Sequence, residues 1–98
     1  MLFRSLPAAV RARAQALAAT PDADAAAAVK RIEARINHDV KAVEYYVREQ
    51  LAAAGASPAT LELVHFGCTS EDINNLSYAS LLRAARGALL PEIGRAHV

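Results

Sequence analysis

Two short clusters of polar residues constrain the fold of this chain more than any other feature. The first is Asn37-His38-Asp39, and the second is residues 69–72, Thr-Ser-Glu-Asp. Each stands directly before an apolar run with helical spacing. Short polar side chains at such a place are typical of a helix N-terminus, because they accept hydrogen bonds from N–H groups that have no partner inside the helix. The pattern therefore predicts a helix that begins at each cluster.

Earlier residues carry the signals of two further helices. Ser5 and Pro7 predict the start of a first helix, since proline at the first helical position sacrifices no hydrogen bond. Thr20 and Pro21 predict the cap and first position of a second helix in the same way. This second helix is expected to run up to the first polar cluster and to break or bend there, because asparagine and aspartate side chains compete for backbone hydrogen bonds.

The remaining segments complete an all-α prediction. Gly55 is expected to end the helix that follows the first cluster, and residues 56–58 are expected to form a turn. The type of residues 61–66 stays open. Thr69 and Asp72 have the spacing of a capping box, which favours a long last helix. No segment is a convincing strand, so the predicted fold class is all-α.

Composition excludes several classes of protein. The chain has 98 residues, which allows at most one domain, and its net charge of +1 with mixed signs argues against a nucleic-acid-binding arm. No basic-then-apolar leader opens it, and no apolar run approaches the length of a membrane span. A single cysteine, Cys68, fits a reducing compartment. These features predict a cytoplasmic chain without nucleic-acid or membrane partners.

The first cluster allows two interpretations. In one, it is a solvated helix break that Asn37 or Asp39 caps. In the other, the three side chains contact a ligand, with His38 as a proton donor because its charge changes near neutral pH. The cluster alone does not decide between them.

The residues near the second cluster have similar alternatives. His65 follows apolar residues, where a lone histidine is more often a hydrogen-bonded core residue than a ligand. Thr69 and Ser70 are good helix caps, but a helix start also suits a bound carboxylate or phosphate. A metal site is not expected, because Cys68 stands alone and His38 lies far from His65 in sequence. No phosphate-binding glycine loop and no Ser-His-Asp pattern can be assembled.

Two longer motifs contain these residues and are more specific. Residues 35–46, RINHDVKAVEYY, and residues 65–76, HFGCTSEDINNL, together resemble the bacterial type of the adenylosuccinate lyase family, within the fumarase/aspartase superfamily. The resemblance covers about residues 25–91. One departure is Arg35-Ile36, where the family pattern has small hydroxyl residues before Asn37.

The resemblance implies a fold and a reaction. The fold would be the helical N-terminal domain portion of the fumarase/aspartase type, truncated before the central bundle of long helices. The reaction would be the acid/base elimination of fumarate from adenylosuccinate, and from the related succinyl-carboxamide ribotide, in purine biosynthesis. It would need no cofactor and no metal, and the intact enzyme would be a homotetramer in the cytoplasm.

The resemblance also implies roles for individual residues. Asn37, His38 and Asp39 would contact the substrate, with His38 as an auxiliary acid. Thr69 and Ser70 would bind the anionic substrate. His65 would lie near the substrate phosphate.

The family's principal acid lies in a Thr-His-Gly-Gln-Pro motif and its base in a mobile serine loop, and neither motif occurs in these 98 residues. We therefore expect the chain by itself to be inactive. The alternative is a small helical module that binds an anion or nucleotide without catalysis.

The two ends of the chain differ in their relation to the family. Residues 1–91 are expected to be part of the lyase N-terminal domain, running into the start of the central helical domain. Residues 92–98 do not resemble the family and are similar to the translated read-through of a common DNA-sequencing adapter. They are predicted to be non-native and carry no weight as site residues.

Overall fold

A computed structural model describes residues 6–19 and 22–96, and all regular structure in these ranges is helical. The five helices are α1 (Ala8–Ala19), α2 (Ala23–Ile36), α3 (Asp39–Ala53), α4 (Pro58–Leu61) and α5 (Ser70–Ala96). The all-α prediction is confirmed. The chain divides into two compact units, of which the first ends at Gly67 and the second begins at Cys68.

The start of α2 corrects one prediction. Asp22 is the N-cap, with an extended backbone and a side-chain oxygen, Oδ1, that accepts a hydrogen bond from the N–H of Ala25 at 2.7 Å. The cap is therefore Asp22 and not Thr20, because the Asp22 carboxylate accepts the N–H of the third helical residue, which has no partner inside the helix. Thr20, Pro21 and Ser5 lie outside the described residues.

The predicted break between the second and third helices is confirmed, and it consists of two residues. Asn37 ends α2 in the left-handed conformation, with φ 55° and ψ 37°, and its N–H donates to the carbonyl of Glu33 at 2.8 Å. Asparagine tolerates this conformation better than most residues, because its short polar side chain can bond locally. His38 is then extended, and α3 begins at the next residue. So short a connection returns α3 along α2 as a helical hairpin.

Gly55 ends α3 as predicted, and the helix end is a Schellman motif. Gly55 has φ +100°, its N–H donates to the carbonyl of Ala52, and the N–H of Ala56 donates to the carbonyl of Leu51, both at 3.0 Å. The predicted turn over residues 56–58 is wrong. Ser57 caps the short helix α4 instead, because its hydroxyl accepts the N–H of Thr60 at 3.2 Å and a proline follows.

The core of the first unit lies where α1, α2 and α3 meet. Its buried apolar residues are Val10, Ile32, Val40, Ala42 and Leu51. A hydrogen bond from the guanidinium of Arg13 to the side-chain oxygen of Gln50 also joins α1 to α3. The apolar run that follows the first polar cluster is only partly buried in α3, since Val43 is 42% exposed.

The second unit is a single long helix. The 27 residues of α5 continue through Pro91, and none of their side chains is buried. Large apolar residues stand exposed along it, among them Leu76, Tyr78, Leu81, Leu82 and Leu89. Among the helices described, none has the length and apolar character that would let it cross a membrane. The non-native origin of residues 92–98 stays a prediction.

Candidate functional site

The first polar cluster is held in place by His38, which caps α3. The His38 Nδ1 accepts a hydrogen bond from the backbone N–H of Lys41 at 3.1 Å. The expected cap, Asn37 or Asp39, is therefore wrong, since Asn37 closes the preceding helix and Asp39 Oδ1 accepts the N–H of its neighbour Val40 at 2.7 Å. A ring nitrogen can serve as a cap because it offers a lone pair at the distance where a serine or aspartate oxygen usually stands.

This cap bond fixes which nitrogen of His38 faces outward. A backbone N–H can only donate, so Nδ1 must be unprotonated, and the proton of the neutral ring lies on Nε2. The side chain is 52% exposed, and the carboxylate of Asp39 lies 3.7 Å from Nδ1. With Nδ1 engaged in the cap, Nε2 is the ring nitrogen that remains available to a ligand.

Lys41 brings a charged group to the same turn of α3. Its ammonium nitrogen lies 3.0 Å from the carboxylate of Glu44 and 5.4 Å from the centre of the Tyr45 ring. The cation is thus balanced by one carboxylate and also contacts an aromatic face. The N-terminal turn of α3 consequently combines a helix start, an imidazole donor and a partly neutralised ammonium group.

His65 lies in the same unit and has a left-handed backbone, with φ 67°. It is half-buried, and its side chain has no hydrogen-bond partner among the residues that the structure describes. The prediction of a hydrogen-bonded core histidine is therefore wrong. The residue stands in a series of tight turns between α4 and Gly67, which also has a positive φ of 75°.

The second polar cluster begins α5 and belongs to the other unit. The N–H of Thr69 donates to Asp72 Oδ2 at 2.7 Å, and the N–H of Asp72 donates to the Thr69 hydroxyl at 3.4 Å. The predicted capping box is confirmed. The Thr69 hydroxyl itself donates to Asp72 Oδ2 at 3.2 Å, so in this state it contacts a carboxylate of its own helix. Ser70 is the first helical residue and is half-buried.

The sequence-predicted residues therefore fall into two groups. Asn37, His38, Asp39 and His65 belong to the first unit, whereas Thr69 and Ser70 belong to the second. Within the described ranges, no group of three or more histidine, cysteine or acidic side chains is arranged to hold a metal ion. Cys68 is an exposed free thiol.

Sequence reasoning missed a groove in the first unit. It has a volume of about 530 Å³ and lies between α1, α2 and α3, with walls that include Leu17, Val29, Val43, Tyr46 and Val47. None of the predicted site residues lines it. Three helices contribute to the groove, and helical spacing within one segment gives no signal of such a shared surface.

Comparison with known proteins gives a consistent set of relatives. The adenylosuccinate lyase of Vibrio cholerae is 54% identical over 66 residues, which are 66% of this chain and 14% of that protein. That of Escherichia coli K12 is 48% identical over 75 residues, 76% of this chain and 16% of the protein. That of Haemophilus influenzae is 52% identical over 68 residues, which are 68% of this chain and 15% of that protein.

Each match covers only a short part of the related protein. The chain spans only about one seventh of the length of the curated relatives that it matches. No family model and no solved structure matches it. Sequence identity of 48–54% over 66–76% of this chain nevertheless confirms the family resemblance that the two motifs indicated. The chain belongs to the adenylosuccinate lyase family.

Proposed function

We propose that the protein carrying this segment is an adenylosuccinate lyase, which cleaves adenylosuccinate to AMP and fumarate. The observation that carries the proposal is the identity of 48–54% to lyases of that name over 66–75 residues of this chain. In the elimination, a base removes a proton beside a carboxylate, a C=C bond forms as the C–N bond breaks, and an acid protonates the departing nitrogen. The same chemistry applies to the succinyl-carboxamide ribotide, and no cofactor is needed.

The start of α3 is proposed to bind the substrate. His38 supports this role, because its Nδ1 is occupied by the helix cap and its Nε2–H faces outward. A donor in this fixed orientation can hold a carboxylate oxygen or assist a proton transfer, a step that typically contributes about 10²–10⁴-fold to the rate. Asn37 and Asp39 flank it and are proposed as further substrate contacts.

Three other residues are proposed to bind the anionic parts of the substrate. Thr69 and Ser70 stand at the start of α5, where backbone N–H groups and the helix dipole favour a negative charge. For Thr69 to bind an anion, its hydroxyl must turn away from Asp72 Oδ2, to which it now donates. His65 has an imidazole without a hydrogen-bond partner in the described residues and is proposed to contact the phosphate.

We also propose an oligomeric state and a location for the enzyme. The active protein is a cytoplasmic homotetramer whose other subunits complete each site, and it has neither nucleic-acid nor membrane partners. The 98 residues contain neither the Thr-His-Gly-Gln-Pro acid motif nor the serine-loop base motif. Purified by itself, the chain should therefore release no fumarate from adenylosuccinate. The comparisons do not favour the alternative of a binding module without catalysis.

A chimeric enzyme tests the proposal directly. Residues 25–91 would replace the matching stretch of the Escherichia coli lyase, in cells that lack their own copy. We expect these cells to grow without added purine. In the purified chimera, His38→Ala and Ser70→Ala should each lower kcat/KM by about 100-fold, because each removes a contact to the reacting or anionic groups.

Lys30→Ala is the control for the chimera, since it removes an exposed ion pair with Glu33 on α2 and is not itself a proposed site residue. It should leave kcat/KM within about twofold of the parent value. Near-normal activity in both the His38 and the Ser70 variants would defeat the assignment of the site.

A further inference from the structure

The short segment that carries His65 has few apolar contacts of its own. The helix before it, α4, has four residues and no buried side chain. Farther along, Phe66 is 77% exposed and Leu63 is exposed as well. Hydrophobic burial therefore does little to hold residues 62–66 against the rest of the unit, and the segment would be expected to open locally at low cost.

Arg48 provides the missing attachment from α3. Its Nη1 donates to the backbone carbonyl of Leu61 at 3.1 Å, and its Nη2 donates to Glu62 Oε1 at 3.0 Å. The Arg48 side chain is only 29% exposed, and its bond to the Leu61 carbonyl is partly buried, whereas the Glu62 carboxylate is 74% exposed and its ion pair contributes less. The two nitrogens of one planar group thus hold two consecutive residues.

The bond to Leu61 acts on the turn that leads to His65. The Leu61 carbonyl also accepts the N–H of Val64 at 3.2 Å, and the next turn is closed by the N–H of Phe66 on the carbonyl of Leu63 at 3.1 Å. The guanidinium and the Val64 amide therefore share one acceptor. A change in the position of this carbonyl would move the residues that bracket His65.

The same helix connects the two candidate histidines. His38 caps the start of α3, and Arg48 lies ten residues farther along it, or about 15 Å at the rise of an α-helix. We infer that Arg48 is a positioning residue, which fixes the His65 segment on the helix that His38 caps. Its importance for catalysis rests on the function proposed above, whereas its hold on the segment does not.

Arginine is required for this attachment by its geometry. The two acceptors lie on different residues, and the planar fork of a guanidinium reaches both with separate nitrogens. A lysine ammonium is a single point charge on a flexible stem and can stand at only one of the two places. Arg48→Lys should therefore keep the charge and lose much of the attachment.

Hydrogen exchange in the 98-residue chain is the first test. Arg48→Ala should speed exchange of the Val64 and Phe66 amides by about fivefold, the effect expected from the loss of one hydrogen bond. Arg48→Lys should have a smaller effect in the same direction. This variant provides the test if the alanine variant does not fold. Lys30→Ala, on α2, should leave both amides unchanged. Unchanged exchange at Val64 and Phe66 in both Arg48 variants would overturn the inference.

Kinetics of the chimeric lyase are the second test, and they separate positioning from a general loss of stability. Arg48→Ala should raise KM by about tenfold with little change in kcat, because a misplaced His65 weakens phosphate binding. In a His65→Ala background, Arg48→Ala should have no further effect on KM. A fall in kcat with KM unchanged would contradict positioning through His65. An inactive parent chimera would refute the proposed function, and the exchange result would still decide whether Arg48 holds the segment.

Discussion

At the scale of single residues, His38 caps α3, a role for which the sequence favoured Asn37 or Asp39. As a residue type, histidine is an uncommon helix cap, and the neighbouring asparagine and aspartate are better ones. Yet Asn37 is used to end α2, and Asp39 bonds the N–H of Val40. The His38 imidazole consequently caps α3 through Nδ1, and Nε2 is the ring nitrogen that can contact a ligand.

His38→Asn distinguishes the cap from the chemistry. Asparagine can accept the Lys41 N–H, so the free energy of unfolding in urea should stay within about 0.5 kcal/mol of the parent chain. His38→Ala should lose about 1 kcal/mol, because the cap bond is lost. In the chimeric lyase both variants should be equally impaired, since neither has the Nε2–H. Full activity of the asparagine variant would show that His38 is a cap and nothing more.

At the scale of helices, the ends were more predictable than the packing. The break at residues 37–38, the Schellman motif at Gly55 and the capping box at Thr69 all depend on bonds between residues at most five apart, and the sequence contains both partners. The start of α2 was misplaced, because Asp22, two residues after the predicted cap Thr20, is the residue that caps the helix. Burial followed the sequence less closely, as the exposed Val43 shows.

Val10 tests how firmly α1 belongs to the first unit. It is 1% exposed and is the one buried residue of α1, so it anchors that helix. Val10→Ala should lower the free energy of unfolding by about 2 kcal/mol, through the loss of two buried methyl groups and the cavity that they leave. Val43→Ala, the same change at a half-exposed position, should cost less than about 1 kcal/mol. Equal losses in urea denaturation would place Val43 in the core as well.

At the scale of the whole molecule, the two units bury very different amounts of apolar surface. The first has a small core among three helices, whereas α5 exposes Leu82 to 71% and has no buried residue. Apolar patches of this kind on a helix favour association with another apolar surface.

Self-association through α5 is the expected consequence. Leu82 and Leu89 stand seven residues apart on one side of the helix. Sedimentation of the 98-residue chain should show concentration-dependent association, and Leu82→Lys with Leu89→Lys should shift it toward the monomer. Ala84→Lys with Ala88→Lys adds the same charge to α5 without removing a large apolar side chain, and should shift it less. If neither pair of lysine substitutions changes the association, the contact lies outside α5.

By itself, the sequence determined the all-α class, the break at residues 37–38, the end of α3, the capping box and the family, because these depend on neighbours along the chain or on whole motifs. Tertiary structure decided which apolar residues form the core, which nitrogen of His38 faces outward, and that Arg48 reaches the carbonyl of Leu61. Burial and the Arg48 contact depend on how separate helices meet, and helical periodicity within one segment does not specify that. The His38 orientation depends on which of three adjacent polar side chains takes the cap, and only their positions in space resolve that competition.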